Sequence, residues 1–366
     1  MVNSAAPISF RTTPHPAPVP GATRAEAIAD PGFGTIFTDH MVVIEYTAGK
    51  GWHDATVGPR QPIPLDPAAA VLHYAQEIFE GLKAYRLADG GMALFRPTEN
   101  AARFNRSAQR LAMPTLPQDL FVEAIRQLVA VDKDWFPSVE GGSLYIRPFM
   151  FASEAFLGVR PARQFKFVVI ASPVGNYFKS GAPAVSIWIS SDYARAAPGG
   201  TGAAKCGGNY AASLVPQAEA IARGHDQVVF LDAAEHKWVE ELGGMNLFFV
   251  MDDGQVVTPP LTGTILPGIT RDSLLQLLRD EGRAVSEEPY SVQQWQDDAR
   301  SGRLVECFAC GTAAVVTAVG NVAGEDTEFT IGSGQAGPLT NHLRAQLTGI
   351  QRGEQPDPHS WILRLD

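Results

Sequence analysis

Apolar positions along this chain follow two periods, and the places where one gives way to the other mark out its organisation. From Phe33, the run FGTIFTDHMVVIEYT sets strand-forming residues among polar ones as far as the turn-forming AGKG at 48–51. This predicts a strand and the start of ordered sequence. Helical spacing follows from Glu99 to Ala112 and from Asp119 to Val131, and strand-like runs cover Ser143 to Phe149 and Phe165 to Ala171. The mixture reads as an α+β domain over 31–172. The polar segment PVGNYFKSGAP at 173–183 reads as a linker to a second, larger domain over 184–366.

In that second domain, Ala211, Leu214, Val215, Ala218 and Ile221 share one face of a predicted helix that closes at Gly224. Pro216 is compatible with it if the helix starts near Ala212, because first-turn N–H groups have no intrahelical partner. Strands are predicted over Gln227 to Leu231 and Met245 to Met251, a turn at DDGQ, a helix from Arg271 to Glu281 and a strand-like run from Leu304 to Ala309. Residues 1–30, with PHPAPVPGA, hold too few large apolar groups to fold alone and are expected to form a flexible tail or a wrap on the body.

Composition narrows the function classes. A chain of 366 residues with 45% hydrophobic and 19% charged residues is long enough for two buried cores. A net charge of -10 without a lysine or arginine cluster points away from nucleic acid and anionic membranes, and towards small molecules. No stretch approaches the roughly 20 apolar residues that span a bilayer, and the amino terminus has no charged region leading into an apolar one. Three cysteines cannot form a disulfide framework. These features lead us to expect a cytoplasmic protein.

The richest chemistry lies in GGTGAAKCGGNY at 199–210, where Lys205 is flanked by small residues and by glycines that allow close backbone approach. An enclosed ammonium is costly unless paired or deprotonated, and the neutral amine attacks carbonyls. A Schiff base is therefore the first reading, with a mobile surface loop as its rival. In PGITRDSL, Pro267 and Gly268 shape a turn, and the amides of Ile269 and Thr270 open a helix that could bind phosphate. CGTAA at 310–314 offers a hydroxyl and consecutive amides. The pair Glu240-Glu241 precedes a hydrophobic strand, so strand alternation turns one carboxylate inward if the other faces solvent. An inward carboxylate needs a partner such as a protonated pyridine nitrogen. An ordinary helix start and a surface hairpin are the competing accounts of these segments.

Together, KCGGNYA, EELGGMNLFFV, TPPLTGTILPGITRDSLL and GTAAVV, with FGTIFTDHM, LHYAQEIFEGLKAYR and LYIRPFMF, resemble the branched-chain amino acid aminotransferases of the class IV family from about Phe33 onwards. The resemblance implies a two-domain, α+β and α/β, fold-type IV enzyme like D-amino acid aminotransferase, with pyridoxal 5'-phosphate at the domain interface. It assigns Lys205 to the imine with the cofactor, Tyr210 to the phenolic oxygen and Glu241 to the pyridine nitrogen. Arg103, the amides of Ile269 and Thr270, and the Thr312 hydroxyl would hold the phosphate. Phe33, Tyr74, Phe79, Tyr145 and Tyr177 would line the apolar pocket, part of it lent across a homodimer. Thr312 and Ala313 would hold the α-carboxylate, and Arg147 the side-chain carboxylate of glutamate. The implied reaction transfers the amino group of Leu, Ile or Val to 2-oxoglutarate with ping-pong kinetics.

Gly244 departs from relatives that carry threonine there, and Ala314 and Thr317 stand where some relatives have a redox CxxC pair. Cys307 and Cys310 also form a CxxC, but three-residue spacing on a strand turns them to opposite faces. Ile331 to Gly337 contains a literal GxGxxG, with too little chain after it for a dinucleotide-binding unit. The eight histidines show no metal-ligand spacing, so no metal is expected. Alternatives within the fold are a D-amino acid aminotransferase and an aminodeoxychorismate lyase. From other classes, a nicotinamide-dependent dehydrogenase lacks its nucleotide-binding unit, and a binding module has no use for an enclosed lysine.

Overall fold

The structure, a computed structural model, describes residues 8–175 and 184–365. The first stretch contains β1 (Arg11–Thr12), α1 (Gly21–Ala29), β2 (His40–Thr47), β3 (Gly51–Pro59), α2 (Ala70–Tyr74), β4 (Glu77–Phe79), β5 (Leu82–Arg86), β6 (Met92–Phe95), α3 (Pro97–Arg110), α4 (Gln118–Val131), β7 (Ser143–Ala152) and β8 (Gln164–Val174). The second begins with β9 (Val185–Ser190), α5 (Gly207–Ala211), α6 (Leu214–Ala222), β10 (Gln227–Leu231), β11 (Val239–Leu242), β12 (Met245–Met251), β13 (Val256–Thr258) and α7 (Ile269–Asp280). It ends with β14 (Val285–Glu287), α8 (Val292–Ser301), β15 (Leu304–Gly311), β16 (Val315–Ala323), β17 (Glu328–Thr330), α9 (Pro338–Gln351) and β18 (Ile362–Arg364).

The chain forms two compact units, Met1–Tyr177 with Gln351–Asp366, and Phe178–Ile350. The expected second domain, 184–366, is thus corrected at its end. Strand β18 pairs with β6, Leu363 opposite Leu94, so the last residues return to the first unit and make it the longer one. The 173–183 linker is corrected too, because Pro173 and Val174 pair with Leu144 and Ser143 inside the β7–β8 ladder; the rest of it, from 176, lies outside the described residues.

In the first unit the sheet runs β1-β3-β2-β8-β7-β5-β6-β18, with β4 added on β7. Along β7, Leu144, Ile146 and Met150 are fully buried, while Tyr145, Arg147 and Phe149 between them are half-buried on the other face. The apolar faces of α3 and α4 meet the sheet through Phe104, Phe121 and Phe167, whose ring centroids lie 5.4 to 5.8 Å apart. Strand β2 begins at His40 and not at the predicted Phe33, because Gly32 and Gly34 take φ of 60° and 73° and break the extended run. Residues 8–30 wrap more than they trail. Strand β1 pairs with β3, and Asp39 accepts from the Val19 amide at 3.0 Å and from the Trp135 indole at 2.9 Å.

In the second unit the order is β11-β10-β9-β16-β15-β12-β13-β14, and an additional β11–β12 pairing closes six strands into a barrel. Its core joins Ile187, Val229, Leu247, Phe249 and Ala309 to Tyr290 and Trp295. Strands β10 and β12 coincide with their predicted spans. Helix α6 differs from its expected burial: Leu214, Val215 and Ile221 are 67%, 54% and 61% exposed, and the helix instead buries Pro216 and Ala220, the latter on Val228 and Phe230. The GxGxxG segment leads into α9, whose opening amides at Leu339 and Thr340 donate to buried Glu306 at 2.9 and 2.8 Å. That carboxylate occupies the place a phosphate would need.

Candidate active site

Lys205 stands directly before α5 in a loop held by its own side chains. Asn209 donates to the carbonyls of Thr201 and Ala204, both at 2.8 Å, and accepts from the Thr201 hydroxyl at 2.7 Å. Gly202 lets this loop press on the next one, since a Cβ there would lie 2.3 Å from the Thr264 carbonyl oxygen. The half-buried Lys205 points its Nζ at the Tyr210 hydroxyl, 2.6 Å away, one helical turn further on.

Tyr210 and Glu241 line one cavity with Arg195, Gly243 and Gly244. The expectation that one carboxylate of the acidic pair faces outward is corrected, as Glu240 and Glu241 are 6% and 3% exposed. The cause is a β-bulge: Glu241 pairs with Phe230 but Val239 pairs with Leu231, which leaves Glu240 as an extra residue and suspends strand alternation. Arg195 answers both acids. Its Nε lies 3.2 Å from Glu241 Oε2, and its Nη2 donates to the carbonyl of Thr264, whose hydroxyl donates to Glu240. The Leu266 amide donates to Glu241. Burial pushes both carboxyls above the usual carboxylate range, and Arg195 pulls each back in part.

Asn246 on β12 joins this acid to the opening of α7. It pairs with Glu241 on one side and Cys310 on the other, donates to the Leu266 carbonyl at 3.1 Å, and presses on Gly268, where a Cβ would meet its Oδ1 at 2.0 Å. Gly268 caps α7 in an extended conformation, so the Ile269 and Thr270 amides lie in the first turn without intrahelical acceptors. Thr312 and Ala313 sit in the turn between β15 and β16, two and three residues beyond Cys310. Amides, acid and lysine thus collect at one end of the barrel.

The first unit holds a cluster of its own. Arg147 Nη2 donates to the Tyr145 hydroxyl at 3.1 Å, and its guanidinium lies 4.8 Å from the Phe79 ring centroid. Phe33 packs edge-on against Tyr145 at 5.2 Å. Gly81 makes room for this cluster, because a Cβ there would fall 2.2 Å from the Tyr145 oxygen. Arg103 is held in a buried fork by Glu80, with Nε–Oε1 of 2.7 Å and Nη2–Oε2 of 2.8 Å, and Asn100 supports the same carboxylate at 2.7 Å. Tyr74 lies apart at the end of α2, 39% exposed, with its hydroxyl on the Leu157 carbonyl. Tyr177 lies outside the described residues.

Arg195, Glu240, Asn246, Asn209 and Glu80 were not foreseen as site residues. A buried acid demands a cation, and Arg195 lies in SDYARAAPGG just upstream of Lys205, so the demand itself was the available signal for it. Cys307 and Cys310 are buried free thiols on opposite faces of β15, both pushed up by burial. Among the described residues no helix is long and apolar enough to cross a membrane, and no group of three or more His, Cys, Asp or Glu could hold a metal.

A lysine on a tyrosine hydroxyl, a buried acid and a helix opening lie within one barrel, and the model of the family "Amino-transferase class IV" matches residues 77–322. The chain belongs to that family. Within it, the chain is 56% identical to the branched-chain-amino-acid aminotransferase of Mycolicibacterium smegmatis, over 98% of this chain and 99% of that one. It is 57% identical to a probable branched-chain-amino-acid aminotransferase of Streptomyces coelicolor, over 98% of each. Among solved structures, the branched-chain amino acid aminotransferase of Escherichia coli superposes with a TM-score of 0.74 at 29% identity, over 88% of this chain and 99% of that one. The branched-chain amino acid aminotransferase of Thermobaculum terrenum, solved in its PLP form, shares the fold with a TM-score of 0.69 at 24% identity, over 89% of this chain and 98% of that one.

Proposed function

We propose that the protein is a pyridoxal-phosphate-dependent aminotransferase that moves the amino group of leucine, isoleucine or valine to 2-oxoglutarate. The observation that carries this reading is Lys205 Nζ on the Tyr210 hydroxyl, at 2.6 Å, beside buried Glu241. The residues fit the cofactor. Glu241 lines the cavity beside Tyr210, and burial holds its carboxyl above the usual range, a cost that a cation placed in that cavity would relieve. Names of relatives support the substrate class and do not favour a D-amino acid aminotransferase or an aminodeoxychorismate lyase.

When bound, pyridoxal phosphate supplies an electron sink for the charge left at the substrate Cα. Lys205 Nζ would hold the aldehyde end of the cofactor and, as a neutral amine, would be the base that takes the substrate Cα proton and the acid that returns it. Tyr210 would orient the phenolic oxygen, and Glu241 would hold a proton on the ring nitrogen. Ile269, Thr270, Thr312 and Arg103 would bind the phosphate, Arg103 being oriented by Glu80. Phe33, Phe79 and Tyr145, with Tyr177, would enclose the apolar side chain. Arg147 would take the distal carboxylate of glutamate, and Thr312 and Ala313 the α-carboxylate. Donor and acceptor would occupy this pocket in turn, which gives ping-pong kinetics.

The reading includes a homodimer that shares its pocket wall through Tyr74, supported by the exposed Leu72, Leu157 and Val159 in the same unit, at 59%, 66% and 88%. Free thiols at all three cysteines support a reducing, cytoplasmic setting. The decisive test is Lys205→Ala. Wild-type protein with pyridoxal phosphate should show a visible imine band that borohydride fixes on residue 205, whereas the variant should fold, lack that adduct and lose transamination. Turnover within tenfold of wild type in the variant would defeat the reading.

A further inference from the structure

The bulge in β11 buries a second carboxylate next to Glu241. Glu240 and Glu241 are both more than nine-tenths buried, and a single guanidinium, Arg195, itself 8% exposed, lies between them in the hydrogen-bond network. Arg195 beside Glu241 alone would form a neutral pair, and a neutral pair holds a cation poorly. We propose that Glu240 is a positioning residue: it offsets the charge of Arg195, so that the two acids and the guanidinium together carry the net negative charge that a protonated ring nitrogen needs. This rests on the pyridoxal-phosphate reading above.

Three observations carry the proposal. Glu240 is tied to Arg195 through one residue, Thr264, whose hydroxyl donates to Glu240 Oε1 while its carbonyl accepts from Arg195. The other oxygen, Glu240 Oε2, is buried without a hydrogen-bond partner, so the acid is not there to satisfy its surroundings. A structural cap for the Thr264 hydroxyl requires an acceptor but no charge, and glutamine would serve. Among the charged groups, Arg195 and Asp232 act on Glu240, and Arg195, Lys205 and Glu240 act on Glu241. Burial raises both carboxyls, as expected for two acids with one close counter-ion and room for a further positive charge.

Glu240→Gln isolates the charge. Wild type and variant would be loaded with pyridoxal phosphate labelled with ¹⁵N in the ring, and the pH at which that nitrogen loses its proton would be read by NMR, with thermal melts as the check on folding. The midpoint is expected to fall in Glu240→Gln by about one unit, a tenfold change in proton affinity, and to recover in part in Glu240→Asp. An unchanged midpoint in a folded Glu240→Gln protein would overturn the proposal and leave the cofactor reading intact. Failure of wild type to bind the labelled cofactor would sink that reading itself. Should Glu240→Gln not fold, Thr264→Val removes the hydroxyl that steadies the Glu240 charge and should shift the midpoint in the same direction; no shift there overturns the proposal equally.

Discussion

At the scale of single residues, chemistry was legible where composition is extreme. Lys205 stands out because its neighbours are small, and the structure sets its amine on Tyr210 as a short i, i+5 contact within one sequence motif. Arg147 follows from the motif resemblance, but its support is not visible in sequence: Tyr145 has room to reach it because Gly81, in the link between β4 and β5, has no side chain. Gly81→Ala should displace Tyr145, cost about 1–3 kcal/mol of stability from overpacking and raise KM for both substrates. A wild-type melt and KM would count against this arrangement. Arg147→Ala should lower kcat/KM with glutamate by about tenfold more than with leucine, since a charge-assisted hydrogen bond contributes roughly 1.5–3 kcal/mol and leucine makes none. Equal losses with both substrates in steady-state assays would move the carboxylate site elsewhere.

At the scale of elements, continuous apolar runs such as Gln227–Leu231 and Met245–Met251 were readable end to end, because fully buried strands carry their own pattern. The bulge at Glu240 was not readable, since it is a property of pairing with β10 and leaves no mark on β11 alone. The outward apolar face of α6 misled for a related reason: periodicity shows that a face exists but not what covers it. The opening of α7 lies between these cases. Its turn was legible from Pro267 and Gly268, whereas the need for glycine comes from Asn246 on another strand, 2.0 Å from a Cβ at that position. Gly268→Ala should therefore push the first turn away from Asn246 and weaken cofactor binding by about tenfold, through misplaced amides at a cost of about 1–3 kcal/mol. Fluorescence titration of the apoprotein with pyridoxal phosphate would read this directly, and wild-type affinity would show that these amides do not hold the phosphate.

At the scale of the whole molecule, the return of residues 351–366 to the first unit was not visible in sequence, because β18 is three residues long and its partner β6 lies more than 250 positions earlier. One consequence concerns charge. Arg352 on the returning segment acts on Lys83 of β5, which is 7% exposed, and burial first, then this like charge, lowers the Lys83 ammonium to about 8. A lysine depressed in the folded state binds fewer protons there than in the unfolded chain, so stability rises as pH climbs from about 8 towards the ordinary lysine value of 10.5. Buried thiols act in the opposite sense. Cys307 and Cys310 keep their protons in the folded state as unfolded thiols lose theirs, so around and above their ordinary value of 9.0 they reduce stability and mask the lysine. The lysine effect is therefore read as a difference between wild type and Lys83→Met, which keeps both thiols. In urea unfolding, wild type should gain about 1 kcal/mol on Lys83→Met between pH 8 and pH 9. An equal pH response in the two proteins would mean that the segment does not hold Lys83 buried against Arg352.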